Sequence, residues 1–185
     1  MALGEPFEGV LAAAQAGASW AFERLYQELA PAVLGYLRLQ GGSEPEDLTS
    51  EVFLGAFTRL GTFRGDEAQF RSWVFTIAHH RLVDDRRKAN RRPVVADGGL
   101  DAAGEPAGGD VEHDALRRLS EERVRRLCEG LVPDQRDVLL LRLVGDLTVE
   151  QVAQALGKTP GAVKALQRRG VAALRRQLEP EAVPS

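Results

Sequence analysis

The amino-acid sequence predicts an all-α protein of two small helical domains joined by a flexible acidic linker. Almost every apolar segment repeats with the helical period of 3.6 residues, and no stretch alternates apolar and polar residues as a half-buried strand does. Residues 93–112 contain five glycines, two prolines and five acidic residues but no lysine or arginine. Such a composition buries too little apolar surface to fold. We therefore predict domains at residues 1–92 and 113–180, separated by a linker at 93–112.

The composition argues against several classes of function. The single cysteine, Cys128, excludes an internal disulfide and a cysteine-rich zinc site. His79 and His80 are neighbours on a predicted helix, so they point roughly 100° apart and cannot chelate one metal ion together. No catalytic triad, phosphate loop or dinucleotide motif occurs, and we expect no catalytic residue, metal or cofactor. With no transmembrane run and no signal-peptide pattern, the protein is expected in the cytoplasm.

Charge is distributed unevenly along the chain. Residues 1–90 carry nine basic and twelve acidic side chains, whereas residues 116–185 carry thirteen basic and nine acidic ones. Six basic residues and no acidic residue lie between Lys158 and Leu178, and a second group of six lies within Arg81–Arg92. Local basic clusters of this kind indicate nucleic-acid contacts even though the net charge of the chain is −3.

The first domain begins with two predicted helices. The first runs from about Phe7 to Gly17, and Ser19 is expected to cap the second. Pro31 lies inside the second helix and is expected to kink it. The positions predicted to face inward on the second helix are Phe22, Leu25, Tyr26, Leu29, Val33, Tyr36 and Leu37.

A third helix is predicted from Pro45 to Leu60, with two distinct faces. Leu48, Val52, Phe53, Ala56, Phe57 and Leu60 form its apolar stripe. The opposite face carries Asp47, Ser50, Glu51 and Leu54. A leucine flanked by carboxylates suits a partner surface that carries arginines, although a lone exposed leucine is also common in surfaces without a partner.

A polar loop, GTFRGDEAQF, precedes a long helix predicted from about Phe70 to Asn90. Phe75 lies on a different face from the inward positions of this helix, close to Arg71 and His79. Aromatic side chains beside cations can hold unstacked bases against a phosphate backbone. Phe75 is therefore a candidate base platform, a ring on which an unstacked base can lie, whereas Trp73 is expected to lie in the core. The inward positions are Phe70, Val74, Ile77, Ala78 and Leu82.

The second domain is predicted to open with a helix that starts near Asp114 and stops before Pro133. Its inward positions are Leu116, Leu119, Val124, Leu127 and Leu131. The next segment, QRDVLLLRLV, has an apolar run that is too continuous for a surface helix. These two helices are expected to cover the inner side of the segment that follows.

That segment, Leu147 to Leu178, has the pattern of a helix-turn-helix. Thr148 and Gln151 have the spacing of a capping box, Gly157 ends the first helix, and Thr159 and Pro160 open the second. An ordinary hairpin with a solvated basic face would show the same charge run, so the pattern alone leaves both possibilities open. The second helix has an inward seam of Val163, Leu166, Gly170 and Leu174 and an outward face of Gly161, Lys164, Ala165, Arg168 and Ala172.

The motifs DLTSEVF, FRGDEAQFRSW and LTVEQVAQ followed by GAVK occur in this order across both domains. Together they resemble the bacterial extracytoplasmic-function (ECF) RNA polymerase sigma factors. The resemblance implies a sigma region 2 bundle, then a sigma region 4 helix-turn-helix, and a protein that directs promoter-specific transcription initiation. It implies core RNA polymerase and promoter DNA as partners, and a cognate anti-sigma factor as a family expectation.

The resemblance also implies three sets of site residues. Core polymerase would bind Asp47, Ser50, Glu51 and Leu54. Single-stranded DNA of the melted minus-ten promoter element would contact Arg64, Arg71, Phe75, His79, His80, Arg86 and Arg87. The minus-thirty-five element, as duplex, would contact Lys158, Thr159, Lys164, Ala165, Arg168 and Arg169.

Several features leave alternatives open. Leu166 and Arg168 depart from residues that many family members carry, and His80 stands where a base-capturing polar residue is common, so base-by-base readout does not transfer. The acidic linker either imitates nucleic acid near the RNA path of the polymerase or keeps the chain soluble. A stand-alone helix-turn-helix regulator and a protein that sequesters another factor are the competing functions. The absence of a ligand-pocket signature and the acidic face around Leu54 argue against the regulator.

Overall fold

Eight α-helices and one short 3-10 turn make up the computed structural model, which describes residues 6–91 and 121–178. No strand occurs within these two ranges, and the predicted all-α class is confirmed. None of the described helices combines the length and apolar character needed to cross a bilayer. The helices are α1 (Phe7–Gln15), α2 (Ser19–Leu39), α3 (Pro45–Arg59), α4 (Glu67–Arg91), α5 (residues 121–129), α6 (Pro133–Leu143), α7 (Val149–Leu156) and α8 (Pro160–Leu178), with the 3-10 turn at Leu60–Thr62.

In the first domain, α1 to α4 pack around an apolar core. Aromatic contacts connect distant parts of this core, since Phe7 in α1 lies 5.6 Å from Phe70 in α4 between ring centroids. Tyr36 in α2 lies 5.7 Å from Phe75 in α4 in an edge-to-face arrangement. The predicted inner stripe of α3 is buried or half-buried along its whole length. Helical periodicity alone was therefore enough to identify the core face of α3.

Three local predictions for the first domain were wrong. Ser19 is the first residue of α2 rather than its cap, because Ala18 occupies the N-cap position and no side chain bonds there. Tyr26 is 41% exposed, although its ring still packs edge-to-face on Phe53 at 4.8 Å. Helix α4 begins at Glu67 instead of near Phe70. Pro31 lies on the exposed side of α2, within one helix that extends from Ser19 to Leu39.

The helix-turn-helix has the predicted caps. Thr148 Oγ1 accepts a hydrogen bond from the Gln151 backbone N–H at 3.2 Å, and Gln151 Oε1 accepts one from the Thr148 N–H at 2.8 Å. Gly157 ends α7 with a φ of 62°, in the left-handed region that favours glycine. Thr159 Oγ1 accepts from the Ala162 N–H at 3.2 Å at the start of α8. These bonds fix the three-residue turn between the two helices.

Helix α6 packs against α7 and α8 as expected, and α5 and α6 each show one departure from the sequence expectations. Val124 on α5 is 41% exposed rather than inward, and Leu143 at the end of the apolar run of α6 is 72% exposed. Val138, Leu140 and Leu141 are buried as expected. The predictions for Leu116 and Leu119 and the boundaries of the linker lie outside the described residues and stay predictions.

The two domains pack directly against each other. Helix α4 contacts α7, α2 contacts α6, and one continuous cluster of buried apolar residues extends from α1 to α8. The acidic linker predicted two separate units, and their mutual contact was not expected. The contact lies beside the part of α4 that was assigned to melted DNA.

Close approach of α6 and α8 predicts a difference between two glycine variants. A Cβ on Gly170 would lie 2.7 Å from Leu139 Cδ1 and 3.3 Å from Gln135 Cβ, whereas a Cβ on Gly161 has no neighbour within 4 Å. We expect Gly161→Ala to stabilise α8 by up to ~0.5 kcal/mol and Gly170→Ala to destabilise the fold by ~1–2 kcal/mol through overpacking. Thermal unfolding should place the Gly170→Ala midpoint roughly 2–4 °C or more below that of Gly161→Ala. Equal unfolding midpoints for the two variants would show that α6 moves to accommodate the added methyl group without loss of stability.

Candidate nucleic-acid interface

The loop that precedes α4 is held in a defined shape by its own polar groups. Asp66 Oδ1 accepts from the Gln69 N–H at 2.8 Å while Gln69 Oε1 accepts from the Asp66 N–H at 2.9 Å. This reciprocal pair caps α4 and explains why the helix starts earlier than predicted. Gln15 of α1 donates to Leu60 O at 3.0 Å and to Phe63 O at 2.9 Å, which anchors the other end of the loop.

Aromatic side chains form the inner wall of this loop. Phe63 stacks on Trp73 with centroids 5.1 Å apart and meets Phe70 edge-to-face at 5.4 Å. Arg64 donates to Gly61 O at 2.9 Å and to Phe63 O at 2.6 Å, so part of its guanidinium group orders the loop. A loop ordered before any ligand arrives spends little entropy on binding, which suits the capture of an extruded base.

The structure separates the seven residues predicted for the minus-ten element into two groups. Arg64, His80 and Arg87 are exposed, and Arg71, near the start of α4, is half-buried. The other three lie at the contact between the domains: Phe75 is fully buried, His79 is 8% exposed, and Arg86 is half-buried. A base platform at Phe75 is therefore covered by protein in this arrangement.

A polar cluster connects the domains at the covered part of α4. Gln40, at the end of α2, donates from Nε2 to Asp137 Oδ1 of α6 at 2.8 Å. Arg86 Nη2 donates to Gln40 O at 2.6 Å and to Gln40 Oε1 at 2.9 Å, and Arg86 Nη1 lies 4.0 Å from Asp137 Oδ1. Tyr36 Oη and His79 Nδ1 form a buried hydrogen bond of 3.0 Å beside them.

Sequence reasoning missed Gln40 and Asp137 as functional residues. One signal was present in each case, because Gln40 follows the buried Tyr36 by one helical turn and Asp137 precedes an uninterrupted apolar run. A polar residue at a buried helical position needs a partner. The sequence does not reveal that the partner lies 97 residues away, on the other domain.

Burial changes the acid–base behaviour of this cluster. Removal from water lowers the pKa of His79, while the Asp137 carboxylate opposes the decrease and His80, Arg86 and Lys158 add to it. Burial also raises the pKa of the Tyr36 phenol, with a further increase from Asp137. Both groups are consequently neutral near pH 7, which reduces the cost of placing them between the domains.

The basic face of α8 is exposed. Lys164, Arg168 and Arg169 point to solvent, and Ala165 is half-buried among them. Lys158 Nζ lies 2.9 Å from Asp134 Oδ2 of α6, an ion pair that fixes the start of α8 against the rest of the domain. Thr159 is exposed and caps the helix as well. Small residues at the helix start followed by long donors have the geometry of a recognition helix for the DNA major groove.

The acidic face of α3 is also exposed. Leu54 is 70% exposed, and Asp47, Ser50 and Glu51 surround it on the solvent side. Glu51 Oε2 lies 4.0 Å from Arg81 of α4, a separation at which an exposed pair contributes little to stability. An apolar side chain of this size, held on a rigid helix between carboxylates, can act as an anchor for a basic partner. Among residues 6–91 and 121–178, no group of side chains is arranged to hold a metal ion.

Comparison with known families matches both domains. Residues 25–92 match the family described as Sigma-70 region 2, and residues 114–174 match Sigma-70, region 4. The ECF RNA polymerase sigma factor BldN of Streptomyces coelicolor is 36% identical over 171 residues, which cover 91% of this chain and 64% of BldN. The ECF RNA polymerase sigma factor SigD of Mycobacterium tuberculosis is 31% identical over 185 residues, which cover 95% of this chain and 85% of SigD.

Two solved structures share the fold. CnrH, in complex with the cytosolic domain of CnrY, superposes with a TM-score of 0.67 at 23% identity and covers 94% of this chain and 97% of that one. The sigma factor RpoE in complex with the anti-sigma factor NepR from Bartonella quintana has a TM-score of 0.64 at 22% identity, with 86% and 98% coverage. At these identities the likeness concerns the fold of the chain.

The lowered pKa of His79 predicts a pH dependence. The unfolded chain binds a proton at His79 near the ordinary pKa of about 6.5, whereas the folded chain binds it only at lower pH. The free energy of unfolding should therefore decrease as the pH falls through this ordinary value and level off below the lowered pKa. His79→Gln should remove this contribution. NMR titration of the histidine rings measures the midpoint, and a value for His79 at or above 6.5 would contradict its burial.

Proposed function

The chain belongs to the extracytoplasmic-function RNA polymerase sigma factors, and on that premise we propose that it binds core polymerase and reads promoters at two elements. One observation carries the proposal: a region 2 domain and a region 4 domain occur in one chain, and each presents an exposed face suited to a different partner. The acidic face around Leu54 suits a protein, and the basic face of α8 suits duplex DNA. Its place of action is then the cytoplasm.

Docking on core polymerase is proposed for the face of Asp47, Ser50, Glu51 and Leu54. The hydroxyl of Ser50 already donates to Glu46 O at 3.2 Å within the helix, so the charged and apolar side chains supply most of the recognition. Carboxylates steer a basic surface toward the helix, and burial of Leu54 supplies the apolar gain. Protein interfaces commonly have this arrangement, in which an apolar anchor lies inside a polar rim.

Recognition of the minus-thirty-five element is proposed for α8. Lys164, Arg168 and Arg169 would reach base edges or nearby phosphates, while Lys158 and Thr159 hold the start of the helix close to the backbone. Melted minus-ten DNA is assigned to the ordered loop from Gly61 and to α4. Capture there engages Arg64, Arg71, His80 and Arg87 first, because these residues are at least partly accessible, and then Phe75, His79 and Arg86 once the domains separate.

The family also favours an anti-sigma protein as a third partner. The stand-alone helix-turn-helix regulator is not favoured, because the first domain matches sigma region 2 and not a separate sensing or dimerisation module. A protein that only sequesters another factor would not need an ordered aromatic loop beside a basic helix.

A run-off transcription assay with purified core polymerase tests this proposal. The chain should direct promoter-dependent transcripts, and Leu54→Arg should weaken core binding at least about tenfold, since a guanidinium cannot replace the apolar anchor among basic partner groups. Binding is measured by fluorescence anisotropy of labelled sigma against core. Leu143→Arg is the matched control, because Leu143 is equally exposed but lies outside the acidic face.

Two results would contradict the assignment. Absence of both a promoter-dependent transcript and a complex with core would exclude a sigma function. Equal loss of core binding in Leu54→Arg and Leu143→Arg would instead show that the effect is not specific to the face on α3.

Duplex recognition is tested with Arg168→Ala. If Arg168 makes a good base contact, its loss should weaken binding of the full chain to a duplex with the minus-thirty-five element by ~1–3 kcal/mol and reduce discrimination against a scrambled duplex. Arg176→Ala removes the same charge two turns further along α8 and should lower affinity for both duplexes alike. Titrations at one fixed salt concentration compare the variants. If Arg168→Ala discriminates between the two duplexes as well as wild type does, Arg168 does not read a base.

A further inference from the structure

Helix α1 supports the minus-ten loop, residues 61–66, which precedes α4 and is assigned to melted DNA. The helix lies outside the segment that matches Sigma-70 region 2, residues 25–92. Its first residue, Phe7, packs on Phe70 just after the loop, and its last residue, Gln15, bonds to the backbone at the other end. The nine residues of α1 rise about 12 Å between these contacts. One rigid element therefore connects both ends of the loop.

The side-chain amide of Gln15 uses both of its hydrogens on this segment. Nε2 donates to Leu60 O at 3.0 Å and to Phe63 O at 2.9 Å. A primary amide has two N–H donors, so neither is left for another partner. Leu60 is buried in the core of the first domain, whereas Phe63 lies in the loop. Gln15 thus fixes the loop at a set distance from the core.

Backbone hydrogen bonds at the end of α1 hold Gln15 in place. The Ala18 N–H donates to Ala13 O at 3.0 Å, and the Gly17 N–H donates to Ala14 O at 2.9 Å. Gly17 has a φ of 88°, in the left-handed region. This combination is the Schellman motif, which satisfies the last carbonyl groups of a helix. The amide of Gln15 therefore projects from a fixed backbone toward the loop.

One carbonyl oxygen connects Gln15 to a side chain assigned to melted DNA. Phe63 O accepts from Gln15 Nε2 and also from Arg64 Nη1, the latter at 2.6 Å, and Arg64 Nη1 donates to Gly61 O at 2.9 Å as well. Both bonds of Arg64 use Nη1, so Nη2 and Nε of this exposed side chain are left for a base or a phosphate. The position of Phe63 O thus determines where these donors point.

We propose that Gln15 is a positioning residue for the minus-ten loop: it sets the orientation of Arg64 and thereby the selectivity of the loop for an extruded base of the melted element. The inference rests on the proposed sigma function and adds α1 to the promoter-reading surface. Without Gln15, Leu60 O still accepts from the Phe63 N–H and Phe63 O still accepts from Arg64, so neither carbonyl loses its last partner. Loss of Gln15 therefore costs little stability but releases the loop from α1.

Selection from random single-stranded DNA tests this role without a known promoter. Holoenzyme assembled from core polymerase and the full chain is mixed with oligonucleotides that are randomised in their central segment, and the bound molecules are sequenced. Wild type should enrich one base at the position that the loop reads. Gln15→Ala should lower this enrichment about three- to tenfold, the effect of losing one or two ordering hydrogen bonds. Gln15→Glu has the same size but no hydrogen to donate, so it should lower the enrichment at least as much.

Gln27→Ala is the matched control, because this amide is also exposed but donates to Glu23 Oε1 within α2. It should enrich the same base as strongly as wild type does. Equal enrichment in wild type, Gln15→Ala and Gln27→Ala would overturn the role of Gln15. An equal loss in Gln15→Ala and Gln27→Ala would overturn it as well, since the effect would then not depend on the loop.

Hydrogen exchange in the free chain separates positioning from stability. Gln15→Ala should exchange its amides faster in residues 61–66 and at the wild-type rate in α2, because alanine is a good helix former and the core is untouched. Faster exchange in α2 would show that the variant unfolds the domain. Gln15→Arg then decides, since its guanidinium group can donate to both carbonyl groups and should restore the enrichment. A folded Gln15→Arg variant without enrichment would overturn the role of these donors.

The same selection distinguishes failure of this inference from failure of the proposed function. If wild-type holoenzyme enriches no base, the reading of melted DNA is wrong, and the role of Gln15 is wrong with it. If wild type and Gln15→Ala enrich the same base equally, the reading of melted DNA stands and only the role of Gln15 is overturned.

Discussion

A carboxylate held between two helical domains is the interaction on which the arrangement of this protein depends. Asp137 is nearly excluded from water, and an unpaired charge there would be costly. Gln40, at the end of α2, donates a hydrogen bond to it, and Arg86 of α4 lies 4.0 Å away as an ion pair, so both groups reach it only while the domains are in contact. In the same arrangement the backbone at Gly145, between α6 and α7, lies against Phe75, and the basic face of α8 is directed to solvent.

Two further constraints operate within the domains and do not involve Asp137. The reciprocal caps at Thr148 and Gln151 and the left-handed Gly157 set the angle between α7 and α8, and the close approach at Gly170 sets the distance from α6. In the first domain, Gln15 ties the loop before α4 to α1. Each candidate surface is therefore held in place by contacts within its own domain.

Local signals in the sequence predicted the helices, the caps and the faces of α3 and α8, because each depends on residues within one or two turns. Leu54 was expected to be exposed and is, since no other element competes for its side of α3. Phe75 shows where this reasoning ends. Its position away from the inward stripe of α4 indicated an exposed ring, yet Tyr36 of α2 and the backbone at Gly145 of the second domain both pack against it. Periodicity identifies the main core face of one helix, but it does not reveal which other elements pack against its remaining faces.

Polar side chains at the contact also affect how strongly the domains are held together. A purely apolar interface of the same size would lose its whole hydrophobic gain on separation, whereas Gln40, Arg86 and Asp137 would exchange their partners for water. A cavity of about 490 Å³, lined by Gln40, Arg86 and Arg136 among others, lies beside them. The polar cluster therefore specifies the relative position of the domains more than it adds to the strength of their contact.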